Sequence, residues 1–304
     1  MRIWLMNVGI LNLRGNTLIS LSVEGHIISD PKIIANKFNT HFAKAAESIA
    51  KSIPKTDSTF EQFLPDYTSD GFKFRKINYS HIEDIVDKLE SKKSIDIEGN
   101  CSFIVKKVAK LISLPLAHIV NLSLNEGSFP DNLKISRICP IFKSGDRLSM
   151  DNYRPISCLP IWSKIYERVV YDQFYLYLST SRILNKSQFG FRRGKSTSHA
   201  LLDVINYISN HLNDGNIVAA IFLDLRKAFD IVSHKILLKK LEHFGVTGQE
   251  LSWFRDYLSN RKIITSCNGT LSNNNHYLSR SVPQGSILGP LILLFINDLP
   301  DSTI

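Results

Sequence analysis

The feature that most constrains the fold is an unbroken run of seven apolar residues, 217–223, that ends directly at Asp224. The run is short and turn residues flank it, so it predicts a strand that is buried on both faces of a sheet. An aspartate at the carboxyl end of such a strand faces the crevice where α/β sheets bind ligands. Asp224 is therefore a candidate functional carboxylate, while a turn or N-cap residue after a strand is the alternative interpretation.

Apolar residues at helical spacing predict most of the remaining structure. One helix begins at Asp30-Pro31, where an N-cap precedes a proline in the first helical position. Further helices are predicted at 103–124 (broken or kinked at Pro115), 162–178, 196–212, 233–244 and 249–258, with a capping box at 80–83, strand-like residues at 12–30 and 135–142, and a linker at 54–78. Asn268-Gly269 between strand-like segments predicts a hairpin. This order predicts an α/β (α+β) fold, in which a mixed sheet carries helices on one face.

Composition narrows the partners of the chain. The net charge is +9, and residues 131–200 hold 12 Lys and Arg against 5 Asp and Glu, which suits a polyanionic partner. The four cysteines are scattered without ligand spacing, so free thiols are expected and a zinc site is not. The longest apolar run, 287–296, is too short for a bilayer span of about 20 residues. We therefore expect no membrane partner.

Two further motifs accompany the Asp224 strand. Phe229 follows Asp224 by five residues, where an aromatic ring could contact a sugar, although a core position is an equal alternative. Pro283-Gln284-Gly285 opens an apolar segment, and its glycine permits close backbone approach while its glutamine offers an amide for hydrogen bonding. Asp230 is predicted to cap the following helix.

Basic residues form two more motifs. Arg154 precedes Pro155 in a strand-like segment, where its rigidly held guanidinium could bind a phosphate through two hydrogen bonds. A surface ion pair is the alternative interpretation. The segment 188–197 contains Arg192, Arg193 and Lys195 in front of a helix. Its two glycines are too closely spaced for a P-loop, so a basic loop at a helix N-terminus is the better interpretation.

Five ordered blocks together resemble the reverse transcriptase of non-LTR (LINE-type, jockey-like) retrotransposons. They are Arg-Pro-Ile-Ser, Phe-Gly-Phe-Arg-Arg-Gly-Lys-Ser-Thr, Phe-Leu-Asp-Leu-Arg-Lys-Ala-Phe-Asp, Val-Pro-Gln-Gly-Ser-Ile-Leu-Gly-Pro and Phe-Ile-Asn-Asp-Leu-Pro. The resemblance implies right-hand polymerase fingers and a partial palm at 125–304, after a mainly helical connector region at 1–124.

The resemblance also implies roles for individual residues. Asp224 would be the catalytic metal ligand, with the Leu225 carbonyl near the same Mg²⁺, or Mn²⁺ in its place. Phe229 would select the sugar, and Gln284 and Gly285 would line the nucleotide pocket. Lys143 and Arg154 would contact the triphosphate. Apart from the resemblance, the basic loop makes Arg192, Arg193 and Lys195 candidates for nucleic-acid contact.

The implied reaction is Mg²⁺-dependent transfer of deoxynucleotides to a primer 3′ end on an RNA template, in the nucleus and cytoplasm. The family's Ala-Asp-Asp block does not occur in this sequence. We therefore expect a truncated form with little or no activity alone, because one carboxylate does not hold two metals. Asp298 is expected only to end a helix. The alternative function is a non-catalytic nucleic-acid-binding remnant of a decayed retroelement.

Overall fold

A computed structural model of the chain describes residues 19–53, 59–67, 71–225, 228–274, 276–289 and 292–302. The strands are β1 (Leu21–Val23), β2 (His26–Ile28), β3 (Ile135–Phe142), β4 (Tyr153–Cys158), β5 (Lys262–Cys267), β6 (Thr270–Leu271) and β7 (His276–Tyr277). The helices are α1 (Pro31–Ser52), α2 (Tyr79–Asp87), α3 (Ser102–Glu126), α4 (Ile161–Thr180), α5 (Thr197–Asn213), α6 (His234–His243), α7 (Gly248–Leu258) and α8 (Ile292–Phe295). The predicted mixed α/β architecture is confirmed. The part of 12–30 before residue 19 lies outside the described residues.

A mixed sheet with the order β4-β3-β5-β6 lies beside α1. β3 is antiparallel to β4 and parallel to β5, while β7 pairs with the other end of β5. Alternate residues of β3 are buried, as expected for a strand with one covered face. Phe38 of α1 is fully buried in a cluster with Ile138 of β3 and Ile263 of β5. The sheet and α1 therefore form one small core.

Local signals position the elements of this core. The Asp30 carboxylate accepts a hydrogen bond from the Ile33 amide at 2.8 Å, which confirms the predicted N-cap of α1. The predicted hairpin is also present, because Asn268 and Gly269 both adopt positive φ between β5 and β6. The Thr265 hydroxyl of β5 donates to the Asn39 side chain at 2.9 Å, which ties helix to sheet inside the core.

A second and larger core joins most of the helices. Trp253 and Tyr257 of α7 stack with ring centroids 5.5 Å apart, and Phe129 meets both rings edge-on. Lys134, which is 2% exposed, donates to the Asp256 carboxylate at 2.7 Å beside this cluster. The cluster draws buried residues from α2 and α3 as well as from α4, α6 and α7. Helices on both sides of the predicted boundary at 124/125 thus share one core, and the boundary itself stays a prediction.

Three local predictions need correction. Asn78, not Ser80, caps α2, because its side chain accepts from the His81 amide at 3.1 Å. Helix α3 continues through Pro115, so the predicted break there is wrong, while a kink stays a prediction. The end of the predicted linker is packed, since Phe72 is buried and pairs with Val246 in a β-bridge. Phe72 and Phe74 pack into the helical core, although residues 54–78 are mostly polar.

The prediction for residues 217–223 is wrong in this structure. The segment forms no strand, and Ile217, Ile221 and Phe222 are 98%, 87% and 88% exposed. The preceding helix α5 has no buried residue either. A strand buried on both faces needs hydrogen-bonded neighbours at both edges, and no described strand pairs with 217–223. Residues 217–223 are apolar, as a buried strand would be, but no described strand forms hydrogen bonds with them.

Within the described ranges, no helix combines the length and the apolar character that a membrane crossing requires.

Limited proteolysis tests the exposed segment. We expect chymotrypsin to cut the native chain first next to Phe222 or Leu223, because both are exposed in irregular backbone. Buried aromatic residues of α4 such as Tyr166 and Phe174 serve as internal controls and should stay uncut. Mass spectrometry of the first fragments gives the result. Protection of 217–223 under conditions that cut elsewhere would show that the segment is paired after all.

Candidate functional site

The Pro-Gln-Gly loop is seated against the edge of β4. The Ser157 amide donates to the Gln284 carbonyl at 3.1 Å, so the loop extends the hydrogen bonding of the sheet. Gly285 has φ +107, and a Cβ at this position would come within 3.0 Å of the Ser157 carbonyl oxygen. Glycine is therefore required here by both conformation and space. The close approach is to the protein's own backbone, and the predicted nucleotide role of Gly285 stays a prediction.

The same loop contacts the end of the Asp224 motif. The Val282 amide donates to the Phe229 carbonyl at 3.0 Å, and the Gln284 side-chain amide donates to the Asp230 carboxylate at 2.8 Å. The two motifs are about 55 residues apart in the sequence. The structure thus assembles Phe229, Asp230 and Gln284 into one site. Asp230 does not cap α6, because the cap is Ser233, whose hydroxyl accepts from the Ile236 amide.

Phe191 of the basic loop also reaches this site. Its ring meets the Phe229 ring edge-on, with the centroids 5.7 Å apart. Phe191 has φ 58, in the left-handed region that a bulky side chain seldom adopts. This contact is not predictable from the sequence, because the local pattern specifies neither the conformation of Phe191 nor its partner.

A buried carboxylate fixes the far side of the loop. Glu167 of α4 is fully buried and accepts from the Ile287 amide at 2.6 Å, the Ser163 hydroxyl at 3.0 Å and the Tyr257 hydroxyl at 3.2 Å. Burial raises the pKa of Glu167, while the nearby Arg261 guanidinium and the hydrogen bonds oppose that rise. This network joins α4, α7 and the loop. Glu167 is not recognisable as a site residue from the sequence, since a glutamate inside a helix is most often exposed.

The backbone before the loop is held in an unusual conformation. Ser281 has φ 95, and its amide donates to the Val232 carbonyl at 3.1 Å. A ring nitrogen of His234 lies 2.7 Å from the Ser281 carbonyl, and burial lowers the pKa of His234. These contacts fix the direction in which the chain enters Pro283.

A small cleft of about 40 Å³ lies between α1, β3 and the loop, and Gln284 and Asp230 line one side of it. Its volume suits a few water molecules rather than a nucleotide.

The predicted metal ligands are not part of this assembly. Asp224 and Leu225 are exposed in the irregular segment after α5. The Asp224 carboxylate makes no hydrogen bond or ion pair with another residue that the structure describes. In the described part of the chain, no three His, Cys, Asp or Glu side chains form a group that could hold a metal. Carboxylate and carbonyl oxygens are the donor types that Mg²⁺ accepts, so the chemistry of this pair fits the ion.

The predicted triphosphate contacts lie at the β3–β4 hairpin. Lys143 follows β3, and Arg154 lies in β4 opposite Ile141. Both side chains are exposed. Neither makes a side-chain hydrogen bond or ion pair within the described ranges, so both are available to an anion.

The basic residues of the 188–197 loop have different surroundings. The Arg192 guanidinium donates to the Asn185 carbonyl at 2.8 Å, which braces the loop. Arg193 forms an ion pair with Asp172 and lies over the Tyr175 ring, 4.9 Å from its centroid. Lys195 lies 4.9 Å from the centre of the Phe189 ring. The loop precedes α5 as predicted, with the Ser196 hydroxyl as N-cap.

Asn297 and Asp298 have structural partners that the sequence did not reveal. The Asn297 side chain accepts from the Asn185 amide at 2.8 Å and donates to the Ile183 carbonyl at 2.9 Å. Asp298 pairs with the buried Lys240 ammonium at 2.5 Å, so it does more than end a helix. These contacts anchor α6 and the start of the basic loop.

Comparison with known proteins agrees with the resemblance to reverse transcriptases that the sequence motifs show. The family model for reverse transcriptase (RNA-dependent DNA polymerase) matches residues 141–303, which include the Phe229 and Gln284 motifs. The chain belongs to the reverse transcriptase family. The resemblance to the non-LTR, jockey-like retrotransposon enzymes is confirmed by the relatives.

Three relatives illustrate the similarity. A protein named probable RNA-directed DNA polymerase from transposon BS, from Drosophila melanogaster, is 30% identical over 86% of this chain and 28% of its own length. The RNA-directed DNA polymerase from mobile element jockey of Drosophila funebris is 30% identical over 74% of this chain and 25% of its own length. The jockey protein of Drosophila melanogaster is 28% identical over 90% and 29%. The chain therefore spans between a quarter and a third of the length of these curated relatives.

The pKa of Glu167 gives a pH-dependent prediction. Its ordinary value is 4.5, and burial raises it in the folded chain. The folded chain therefore keeps a proton that the unfolded chain loses, so this group's contribution to stability is present at low pH and is lost as pH rises through the raised pKa. Glu167→Gln removes this titration and one acceptor. We expect it to lower the free energy of unfolding by about 1–3 kcal/mol at pH 7, with a gap that widens towards pH 4.5.

Urea unfolding followed by circular dichroism at several pH values measures that gap. Glu242→Gln, which changes an exposed carboxylate of α6, is the matched control. A difference between Glu167→Gln and the unmodified chain that does not change with pH would contradict the prediction.

Proposed function

We propose that the chain provides the fingers and part of the palm of an RNA-directed DNA polymerase, within a longer polypeptide that extends a DNA primer on an RNA template. The observation that carries this proposal is the convergence of Phe229, Gln284 and β4, three separate motifs of the family, at one surface. Nuclear and cytoplasmic localisation is part of the proposal and rests on the family alone.

The metal is assigned to Asp224, with the Leu225 carbonyl beside it. Bound Mg²⁺ would supply charge stabilisation to the phosphates and lower the pKa of the attacking hydroxyl. The protein's contribution is a hard oxygen donor with no competing partner among the described residues. Mn²⁺ accepts the same ligand types.

Gln284 is suited to recognise a hydrogen-bond donor. Its side-chain nitrogen donates to Asp230, which fixes the amide plane and leaves the side-chain oxygen as the acceptor. A sugar hydroxyl or a base amino group can donate to this oxygen, whereas a phosphate cannot. Gln284 therefore lines the nucleoside side of the pocket.

Phe229 and the two basic residues complete the proposed pocket. Phe229 is fixed by its backbone bond to Val282 and by its contact with Phe191, so its ring offers a stable wall to the sugar. Lys143 and Arg154 supply free cations on the β3–β4 hairpin for the triphosphate. The Phe229 ring would select the sugar, and Lys143 and Arg154 would attract the negatively charged triphosphate.

Primer extension tests the metal assignment. We expect Asp224→Asn to leave binding of an RNA–DNA hybrid unchanged and to reduce Mn²⁺ binding to the complex, because only the metal-ligand oxygen is altered. Any incorporation of deoxynucleotides should fall about 100-fold or more, since even residues that merely orient metal ligands cost about 10–100-fold when mutated. Asp203→Asn, an exposed carboxylate of α5, is the control.

The outcomes of this assay separate the alternatives. Little incorporation by the unmodified chain, with Mn²⁺ binding that depends on Asp224, fits a domain with one of the required carboxylates. Robust synthesis that depends on Asp224 would overturn the expected inactivity of this chain. Hybrid binding with neither incorporation nor an effect of Asp224→Asn on Mn²⁺ would favour the non-catalytic binding protein.

The basic loop gives a second prediction for nucleic acid. Each phosphate contact contributes about one unit to the slope of log affinity against log salt concentration. We expect Lys195→Ala to reduce this slope by about 1 for an RNA–DNA hybrid, measured by fluorescence anisotropy. Lys51→Ala, at the exposed end of α1, is the control and should leave the slope unchanged. Equal slopes for Lys195→Ala and the unmodified chain would remove Lys195 from the interface.

A further inference from the structure

Two of the four thiols lie next to each other on the β3–β4 hairpin. Cys139 is paired with Ile156, and Cys158 is paired with Arg137, so the two cysteines are diagonal neighbours on the same face of the sheet. Their sulfur atoms are 3.9 Å apart, and both thiols are free. The close approach follows from the strand register, since residues two apart on a strand share a face.

The charges around this pair are favourable for a thiolate. Arg137 stands directly opposite Cys158, and its Nε is buried without a hydrogen-bond partner among the described residues. The hydrogen bond with Cys139, together with the positive charges of Arg137 and Lys164, lowers the pKa of Cys158 against the effect of burial. The same hydrogen bond and burial raise the pKa of Cys139. One proton is thus retained on Cys139 while Cys158 becomes the nucleophile.

The other two thiols differ from this pair in access. Cys101 and Cys267 are buried, with 9% and 3% exposure, whereas Cys139 and Cys158 are partly exposed. Burial also raises the pKa of Cys267 to about 11. Cys101 and Cys267 therefore serve as internal controls for the reactivity of the Cys139–Cys158 pair.

We propose that Cys139 and Cys158 are a reversible oxidation site, at which hydrogen peroxide converts the thiol pair into a disulfide across the β3–β4 hairpin. The Cys158 thiolate attacks one peroxide oxygen and breaks the O–O bond, which gives a sulfenic acid and hydroxide. The Cys139 sulfur then attacks the Cys158 sulfur and releases the second oxygen as water. Overall, two thiols lose two electrons and two protons, and one peroxide becomes two waters.

The bond requires a limited movement of the hairpin. A disulfide has its sulfurs about 2.05 Å apart, so the present separation must close by about 2 Å. The resulting link would fix β3 against β4 next to Arg154, which lies on the same face of β4. A bond formed with such displacement is readily reduced, as expected for a regulatory rather than a structural disulfide.

Peptide mapping of the oxidised chain tests the site directly. The native full chain is treated with hydrogen peroxide, the remaining thiols are alkylated, and the digested peptides are examined by mass spectrometry. We expect one linked peptide that joins Cys139 to Cys158 and disappears with a dithiol reductant. Cys101 and Cys267 should remain alkylated in full.

Variants identify the nucleophile. In Cys139→Ser we expect Cys158 to accumulate a sulfenic acid that dimedone traps, because the resolving thiol is gone. Cys158→Ser should slow peroxide oxidation of the chain at least about tenfold, since the low-pKa thiol is lost. Cys267→Ser is the matched control and should behave as the unmodified chain.

Two results would overturn the proposal, and neither depends on polymerase activity. One is oxidation of Cys158 to the sulfinic acid in the unmodified chain without a linked peptide, which would mean that the sulfurs do not meet. The other is equal oxidation of all four cysteines under native conditions, which would show that the pair has no special reactivity.

Discussion

The site depends on a carboxylate that is placed where charges are costly. Glu167 has no solvent contact, yet it accepts hydrogen bonds from Ile287, Ser163 and Tyr257. Removing a carboxylate from water costs several kcal/mol unless donors replace the water, and here three donors and the nearby Arg261 offset part of that cost, while the pKa of Glu167 stays raised. Because the Ile287 amide belongs to the Pro-Gln-Gly segment, this compensation also fixes the loop. The geometry of the proposed nucleotide pocket is therefore coupled to the packing of α4 against α7.

The loop and the Asp224 segment differ in how firmly they are held. The loop is bonded to β4, to Phe229 and to Glu167, so it is positioned without any ligand. Residues 217–223 have no pairing strand among the described residues, and their apolar side chains face solvent. Burying such surface is worth about 25 cal/mol per Å², so the run has a strong tendency to pair when an edge is offered. Such pairing would also position Asp224, the proposed metal ligand.

Local signals in the sequence were sufficient for most elements, while long-range contacts were not. Asp30 caps α1 as its residue type and position predict, because a cap involves only neighbouring residues. At α6, by contrast, the cap is Ser233 and not the predicted Asp230. The parallel pairing of β3 with β5 joins residues more than a hundred positions apart, and no local pattern specifies it. The same holds for Glu167, whose three hydrogen-bond donors come from three different elements.

Long-range contacts also determine the roles of two acidic residues in the motif blocks. Asp230 was expected to cap a helix and Asp298 to end one, yet Asp230 accepts from Gln284 and Asp298 pairs with the buried Lys240. Removing one partner of the buried Asp298–Lys240 ion pair costs about 3–5 kcal/mol, because the other charge is left uncompensated. These contacts give both residues a structural role. Among the described carboxylates of the motif blocks, Asp224 alone has no hydrogen bond or ion pair with a described residue. That availability, together with its place after an apolar run, is what distinguishes a candidate metal ligand from the acidic residues that hold the fold together.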